Sequence, residues 1–251
     1  MARDFRPGQF VMVRTAEGAF PFLSRPFSVL DLERDSSGRA RGVQLLIEVV
    51  GEGTRALSRC HPGDLLDVMG PLGREFPVEP AVTDAIFVAG GIGVAPFLLL
   101  ARAFREQLGN ATRLRLLYGA RSAANLVLLD EFKKLGVEIE LATDDGTRGT
   151  KGTVMPLLDW TLPRGAASTP GAQLFACGPN VMLKAVASFA AERGVPCLAS
   201  LESMMACGFG TCLACVFPVH DAGDADFHYE RVCTEGPVFD TRRLRFDRCT
   251  A

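Results

Sequence analysis

The sequence has no excess of charge of either sign. Its 27 Lys and Arg face 29 Asp and Glu, for a formal net charge of −2. No basic stripe runs along it, so the electrostatic case for nucleic-acid binding is missing. The start, Met1-Ala2-Arg3-Asp4-Phe5-Arg6, carries no apolar signal segment, and eight cysteines among 251 residues are too few for a disulfide scaffold. A soluble, cytoplasmic protein is the expectation. An unbroken hydrophobic span is missing too. The stretch from Ala85 to Ala101 is uncharged, but Gly90, Gly91, Gly93 and Pro96 interrupt it. A strand, a glycine turn and a helix explain it better than a lipid-facing helix, so no membrane partner is expected. Internal repeats and low-complexity tracts are absent, and residues 163–171 (PRGAASTPG) read as a short loop, not a linker between domains.

What is present is ordinary globular composition, 48% hydrophobic and 22% charged, with length for two domains of usual size. Residues 1–79 read as β. The runs Phe10–Arg14, Phe27–Leu30 and Val43–Val50 are β-prone, and Asp35-Ser36-Ser37-Gly38 and His61-Pro62-Gly63-Asp64 separate them as turns. This spacing predicts a small antiparallel barrel. Residues 80–199 alternate in type. Strands are expected at Ala85–Ala89, Leu114–Tyr118, Val137–Ala142 and Leu174–Ala176. Between them come an amphipathic helix ending near Gln107 and helices at Leu126–Leu135 and Asn180–Glu192. That alternation predicts a doubly wound parallel sheet with a nucleotide site at the C-terminal ends of its strands. Residues 200–251 form a third segment that carries most of the cysteines.

Four of these, Cys207, Cys212, Cys215 and Cys233, are spaced C-x4-C-x2-C-x17-C. This is close to the plant-type pattern that holds a [2Fe–2S] cluster. Cys207-Gly208-Phe209-Gly210-Thr211-Cys212 supplies glycines that let backbone N–H groups wrap inorganic sulfide. Structural zinc is the alternative tenant, but it usually takes two short knuckles separated by a longer segment. Here three cysteines crowd together and the fourth stands apart. Cys60, Cys197 and Cys249 read as small neutral residues.

Gly91-x-Gly93-x-x-Pro96 follows the first strand of the α/β segment and opens a helix. The logic is that of a dinucleotide site, a tight turn that brings backbone close to a pyrophosphate. Pro96 stands in place of the usual third glycine and is tolerated in a first helical turn. Alone the signal is weak, because strand–helix packing also uses such glycines. Cys177-Gly178-Pro179 sits at the end of a later strand, where ligands of such sheets bind, or is simply a turn with a buried thiol. In the β segment, Arg25 offers a guanidinium fork for a phosphate. It is followed by Pro26, the Phe27 ring and the Ser28 hydroxyl, and later by Gly53-Thr54-Arg55.

The order of these motifs resembles the ferredoxin–NAD(P)+ reductase superfamily. More narrowly, Glu202-Ser203-Met204-Met205-Ala206-Cys207-Gly208 and Val232-Cys233-Thr234-Glu235-Gly236-Pro237 are similar to the electron-transfer subunits of NAD+-linked dihydroorotate dehydrogenase B. The resemblance covers almost the whole chain and implies FAD held by the barrel. Arg25 would neutralise its phosphate, and Pro26, Phe27 and Ser28 would line the isoalloxazine. Leu46, Ile47 and Glu48, on the strand before the second motif, would contact FAD largely through backbone, and Gly53 and Thr54 would bind its pyrophosphate. Glu48 departs from the family, which often has a basic or polar residue there. Gly91, Gly93 and Pro96 would meet NAD, with Cys177, Gly178 and Pro179 beside its nicotinamide. Ser28 and Cys177 are thus the side chains expected at the reacting atoms, and the cysteine quartet is the expected [2Fe–2S] ligand set. The family usually has a longer N-terminal strand before Pro7-Gly8-Gln9-Phe10. Here six residues precede Pro7, so a truncated start or a different barrel closure is expected.

By the same resemblance the chain is an oxidoreductase subunit of pyrimidine (UMP) biosynthesis. An FMN-containing dihydroorotate dehydrogenase catalytic subunit, two of each chain in a heterotetramer, would feed single electrons through the cluster to FAD, and NAD+ would leave with a pair. Two other readings stand beside it. One is a reductase module of a hydrogenase, a sulfide dehydrogenase or a ferredoxin:NADP+ transhydrogenase, and the other is a non-enzymatic zinc or iron–sulfur redox sensor. Arg121 and Ser122 stand after the second α/β strand, where a 2′-phosphate is read, or equally at a helix start. They leave NAD against NADP open.

Overall fold

The computed structural model describes residues 5–15, 22–163, 170–221 and 226–248. The first four residues, most of the 163–171 loop and Cys249 lie outside the described residues.

The N-terminal β segment forms β1 (Phe10–Thr15), β2 (Arg25–Arg34), β3 (Ala40–Leu45), a short helix α1 (Glu52–Leu57) and β4 (Leu66–Leu72). The strands lie in the order β3-β2-β1-β4, all antiparallel. The expected barrel is thus realised as a four-stranded half-barrel. Phe10 to Val13 are all buried because β1 is covered on both faces. Val11 and Val13 pack with Val29 and Leu99, while Phe10 and Met12 join the core beneath the second sheet. The turn at Asp35 forms as its residues demand. Its carboxylate accepts from the Ser37 amide (3.0 Å), the Ser37 hydroxyl (2.6 Å) and the Arg39 amide (3.0 Å).

One expectation is corrected. The run to Val50 is not a single strand, because β3 ends at Leu45, opposite Val29. The β2–β3 ladder stops at that pair, so β3 has no ladder partner beyond it. Leu46, Ile47 and Glu48 therefore leave the sheet instead of lying on a strand.

The α/β segment runs β5 (Asp84–Gly90), a 3-10 turn, α2 (Ala95–Leu108), β6 (Arg113–Ala120), α3 (Leu129–Lys134) and β7 (Glu138–Thr143). It continues through β8 (Thr150–Lys151), α4 (Met155–Thr161), β9 (Ala172–Cys177), α5 (Asn180–Arg193) and β10 (Cys197–Ser200). After them come a two-stranded ribbon, β11 (Val216–Val219) with β12 (His228–Arg231), and then β13 (Val238–Asp240). The main sheet has the order β13-β10-β9-β5-β6-β7-β8. The chain winds outward from β5 in one direction and resumes on its other side with β9. The crevice of a doubly wound sheet therefore opens between the ends of β5 and β9.

The uncharged stretch from Ala85 is a strand, a turn and a helix, as read. Among the described residues no helix is long and apolar enough to cross a membrane. The helix is amphipathic only in its second half. Ala95 to Ala101 are all buried because two sheets enclose them. Phe97 stacks on Phe87 of β5 at 5.3 Å, Leu99 enters the core of the half-barrel, and Arg102 Nε donates to Asp31 of β2 at 2.6 Å. The cysteine segment is tied in as well. β13 pairs antiparallel with β10, Leu198 opposite Asp240, and Leu201 donates its amide to the Pro237 carbonyl at 2.9 Å.

Candidate functional site

A cavity of about 510 Å³ separates β2 and α1 from the C-terminal ends of β5 and β9. Arg25, Pro26, Phe27 and Ser28 form one wall, and Gly53 and Thr54 close one end. The Thr54 side chain fixes that end. Its Oγ1 accepts from the amides of Val50 (3.0 Å) and Gly51 (3.1 Å) and donates to the Gly51 carbonyl (3.1 Å). A Cβ on Gly53 would stand 2.8 Å from Arg25 Nε, so the guanidinium lies directly over a residue that has no side chain. A fixed cation over bare backbone, followed by a proline and an aromatic face, is a donor set that fits a flavin dinucleotide.

A second cavity, about 670 Å³, lies over the ends of β5, β6 and β7. The two share Leu46, Glu48, Ile92 and Glu202, so they are one continuous cleft with a waist. The residues expected to meet NAD divide between the halves. Gly91 and Pro179 line the second cavity, together with Ile47. Gly93, Pro96 and Cys177 line the first, and Leu46 and Glu48 line both. Gly178 lies behind the wall, where a Cβ would come 2.8 Å from Met182 Cε. A Cβ on Gly93 would strike the Cys177 carbonyl. Only glycine lets the turn after β5 close against the end of β9, and that contact forms the floor of the waist.

Burial raises the pKa of the Cys177 thiol, the Glu202 charge raises it further, and a hydrogen bond with Ser200 only partly offsets this. Cys177 is therefore a neutral thiol at physiological pH, not a nucleophilic thiolate. Glu202 is solvent-accessible, yet its carboxyl lies in a concave waist with protein on most sides. Desolvation raises its pKa, and the Glu48 charge adds to the shift. The sequence motifs include Glu202 only beside the cysteine loop, with no role, and do not include Asp144; both line the cleft. The available signal was their position just beyond a strand's C-terminal end.

The structure brings the four cysteines together as two pairs, Cys207 with Cys212 and Cys215 with Cys233, the second pair in the core that also holds Phe10 and Met12 of β1. The Cys207–Cys212 loop lies on this strand, where a Cβ on Gly208 would meet Met12 Sδ at 2.9 Å. Burial acts to raise the Cys207 thiol. The backbone N–H groups of Cys212, Phe209 and Thr211, together with the Cys212 thiol, outweigh it and bring its pKa down to about 6. Those amides point at the Cys207 sulfur. Cys215 and Cys233 form a second contact pair. Burial first, and then Cys215, push the Cys233 thiol up to about 12, and the Val232 amide donates to the Cys215 carbonyl at 3.0 Å. Among the described residues no three His, Cys, Asp or Glu side chains converge as one metal ion requires. Cys60 is half-buried and Cys197 buried, as small neutral residues would be, and burial pushes the Cys197 thiol up to about 12.

The family model for the iron–sulfur cluster binding domain of dihydroorotate dehydrogenase B matches residues 202–245, and that for the oxidoreductase NAD-binding domain matches residues 87–188. The dihydroorotate dehydrogenase B (NAD+) electron transfer subunit of Desulforamulus reducens is 38% identical over 244 residues, covering 95% of this chain and 86% of the relative. That of Bacillus caldolyticus is 38% identical over 236 residues, covering 93% and 84%. Among solved structures, an NADH-dependent reduced ferredoxin-NADP oxidoreductase, described for flavin-based electron bifurcation, superposes with a TM-score of 0.80. It is 30% identical, covering 98% of this chain and 82% of that one. The cytochrome b5 reductase domain of Ulva prolifera nitrate reductase (TM-score 0.61, 21% identical, 76% and 82% covered) shares the fold. With such identity across nearly its whole length, the chain belongs to the family of dihydroorotate dehydrogenase B (NAD+) electron transfer subunits.

Proposed function

We propose that this chain relays electrons taken from dihydroorotate by a catalytic partner subunit, through a [2Fe–2S] cluster and FAD, to NAD+. The observation that carries the reading is the waisted cleft. Its two halves share Leu46, Glu48, Ile92 and Glu202, and Met205, two residues before the first cysteine of the quartet, lines the half nearer the cluster. When bound, the flavin supplies the exchange between one-electron and two-electron transfer that cluster and nicotinamide each lack.

The chain's own residues bind and orient. Arg25 holds a phosphate over Gly53, Pro26 and Phe27 pack on a ring, and the Ser28 hydroxyl offers a hydrogen bond at its edge. Gly93, Pro96 and the protonated Cys177 wall the waist, while Gly91 and Pro179 flank the dinucleotide in the second half. In this division residues 1–79 hold FAD, 80–199 hold NAD and 200–251 hold the cluster. Phe209 and Leu213 are 55% and 58% exposed around Cys212 and form an apolar rim for the partner. That partner is an FMN-bearing subunit, two of each chain form the heterotetramer, and the assembly works in the cytoplasm in UMP synthesis.

Co-purification with a candidate catalytic subunit, followed by NADH formation from dihydroorotate, tests the reading. Ferricyanide reduction by NADH without the partner tests the cleft alone. A flavin- and cluster-loaded complex that forms no NADH would count against dihydroorotate as the source. The likeness to the ferredoxin-NADP oxidoreductase favours a second reading, a module fed by reduced ferredoxin, and substituting that donor in the same assay separates the two.

A further inference from the structure

The quartet is built from two pieces of chain far apart in sequence, and a pair of side chains that belongs to neither the cleft nor the ligand set ties them together. Arg231 ends β12, two residues before Cys233. Its Nη1 donates to the Gly210 carbonyl at 3.2 Å, reaching into the Cys207–Cys212 loop. The rest of its guanidinium is gripped by Glu235, with Nε to Oε2 at 3.0 Å and Nη2 to Oε1 at 2.6 Å. The same carboxylate accepts from the Arg231 amide at 2.8 Å and from the Thr234 hydroxyl at 3.0 Å. The Arg231 carbonyl in turn accepts from the Thr234 and Glu235 amides at 3.2 and 2.9 Å, so the turn that presents Cys233 is stitched at both ends. A fork held by a carboxylate has no freedom to wander, and its remaining N–H is aimed at one carbonyl of the other loop.

We infer that Arg231 and Glu235 are positioning residues for the cluster: the fork closes the cage across the two cysteine segments, and its charge helps to set the cluster's reduction potential. The inference rests on the [2Fe–2S] reading of the quartet. Reduction adds one negative charge to the cluster, and Arg231, two residues from Cys233 and in electrostatic reach of Cys233 and Cys215, is a fixed cation that favours that reduced form. Glu235 carries the opposite charge, so removing either partner should move the potential in opposite directions. Lysine has the charge but not the fork. The two roles therefore separate by substitution.

The test uses the partner-bound, cluster-loaded protein and three variants, Arg231→Lys, Arg231→Gln and Glu235→Gln. Acid-labile sulfide after a fixed chelator challenge reads the cage, and an EPR-monitored redox titration reads the potential. Arg231→Gln is expected to make reduction about tenfold less favourable, a fall of about 59 mV for a one-electron couple, and to speed cluster loss. Arg231→Lys should keep the potential and still lose the cluster several-fold faster, because the fork is gone. Glu235→Gln should raise the potential. If Arg231→Gln retains no cluster at all, the Glu235→Gln titration decides. Unchanged potentials and unchanged loss rates in the variants would overturn the inference while leaving the cluster intact. A wild-type protein with no acid-labile sulfide would overturn the cluster reading itself, and the clamp with it.

Discussion

Gly53 and Arg25 are a matched pair: the guanidinium occupies the space that any side chain at position 53 would need, with Nε 2.8 Å from the missing Cβ. Gly53→Ala must push the guanidinium aside or shift α1. FAD retention is therefore expected to fall about tenfold, near 1.4 kcal/mol, with little change in melting temperature of the flavin-free chain. Flavin content after gel filtration at graded FAD concentrations measures this. Retention equal to wild type would remove Arg25 from the phosphate role.

The groups at the end of β6 predict a preference for NAD over NADP. The Ala123 amide already donates to Thr147 Oγ1 at 2.8 Å, and the Ser122 hydroxyl donates to Asn125 Oδ1 at 2.9 Å. Arg121 lines the cavity, but so does the Asp144 carboxylate, and a carboxylate suits ribose hydroxyls and repels a phosphate. The wild type should bind NADH more tightly than NADPH. Asp144→Asn should narrow that gap by about tenfold, near 1.4 kcal/mol, read by titrating the fluorescence of each reduced nucleotide. A gap that does not move assigns the discrimination elsewhere.

Glu202 carries a pH signature. Its carboxyl is raised in the folded chain by desolvation and then by Glu48. A carboxyl raised on folding holds its proton longer in the native state, so its ionisation opposes folding as pH rises from the ordinary carboxylate value through the folded one. Glu202→Gln should therefore stabilise the ligand-free chain at pH 8, with a gain that shrinks towards zero near pH 4. Melting temperatures across that range check it. A gain that grows on acidification would have the sign wrong.

The local pieces of this fold were legible because their signals are local. Ala85 to Ala89 is a buried run between turn residues, and the glycines with Pro96 mark the strand-to-helix turn without any knowledge of the rest. The cysteine spacing likewise needed no fold. What escaped was set by long-range order. Glu202 and Asp144 become neighbours of one cleft only after β10 and β7 take their places on opposite sides of β5. β13 spans three residues, too short for a periodic pattern, and exists because β10 offers it an edge. Leu46 to Glu48 have strand composition, but the ladder with β2 ends at Leu45 opposite Val29. The clamp on Gly210 is a contact over 21 residues that no motif announces.

The joint between the two sheets rests on Leu99, a residue of α2 that is 4% exposed and packs among Val11, Val13 and Val29 of the half-barrel. Leu99→Ala removes apolar atoms from a site closed on both sides, with an expected cost of about 2–5 kcal/mol. For a chain of this length each kcal/mol lowers the melting temperature by about 2–4 °C. The cost should also fall on the electron path, because the cleft lies between the bodies that Leu99 joins. Flavin release on dilution should therefore speed up more in Leu99→Ala than in a control such as Leu158→Ala, a 0% exposed position in the core on the other side of the main sheet. Stopped-flow flavin fluorescence compares the two at matched stability, and equal release rates would mean that the half-barrel holds FAD without help from α2.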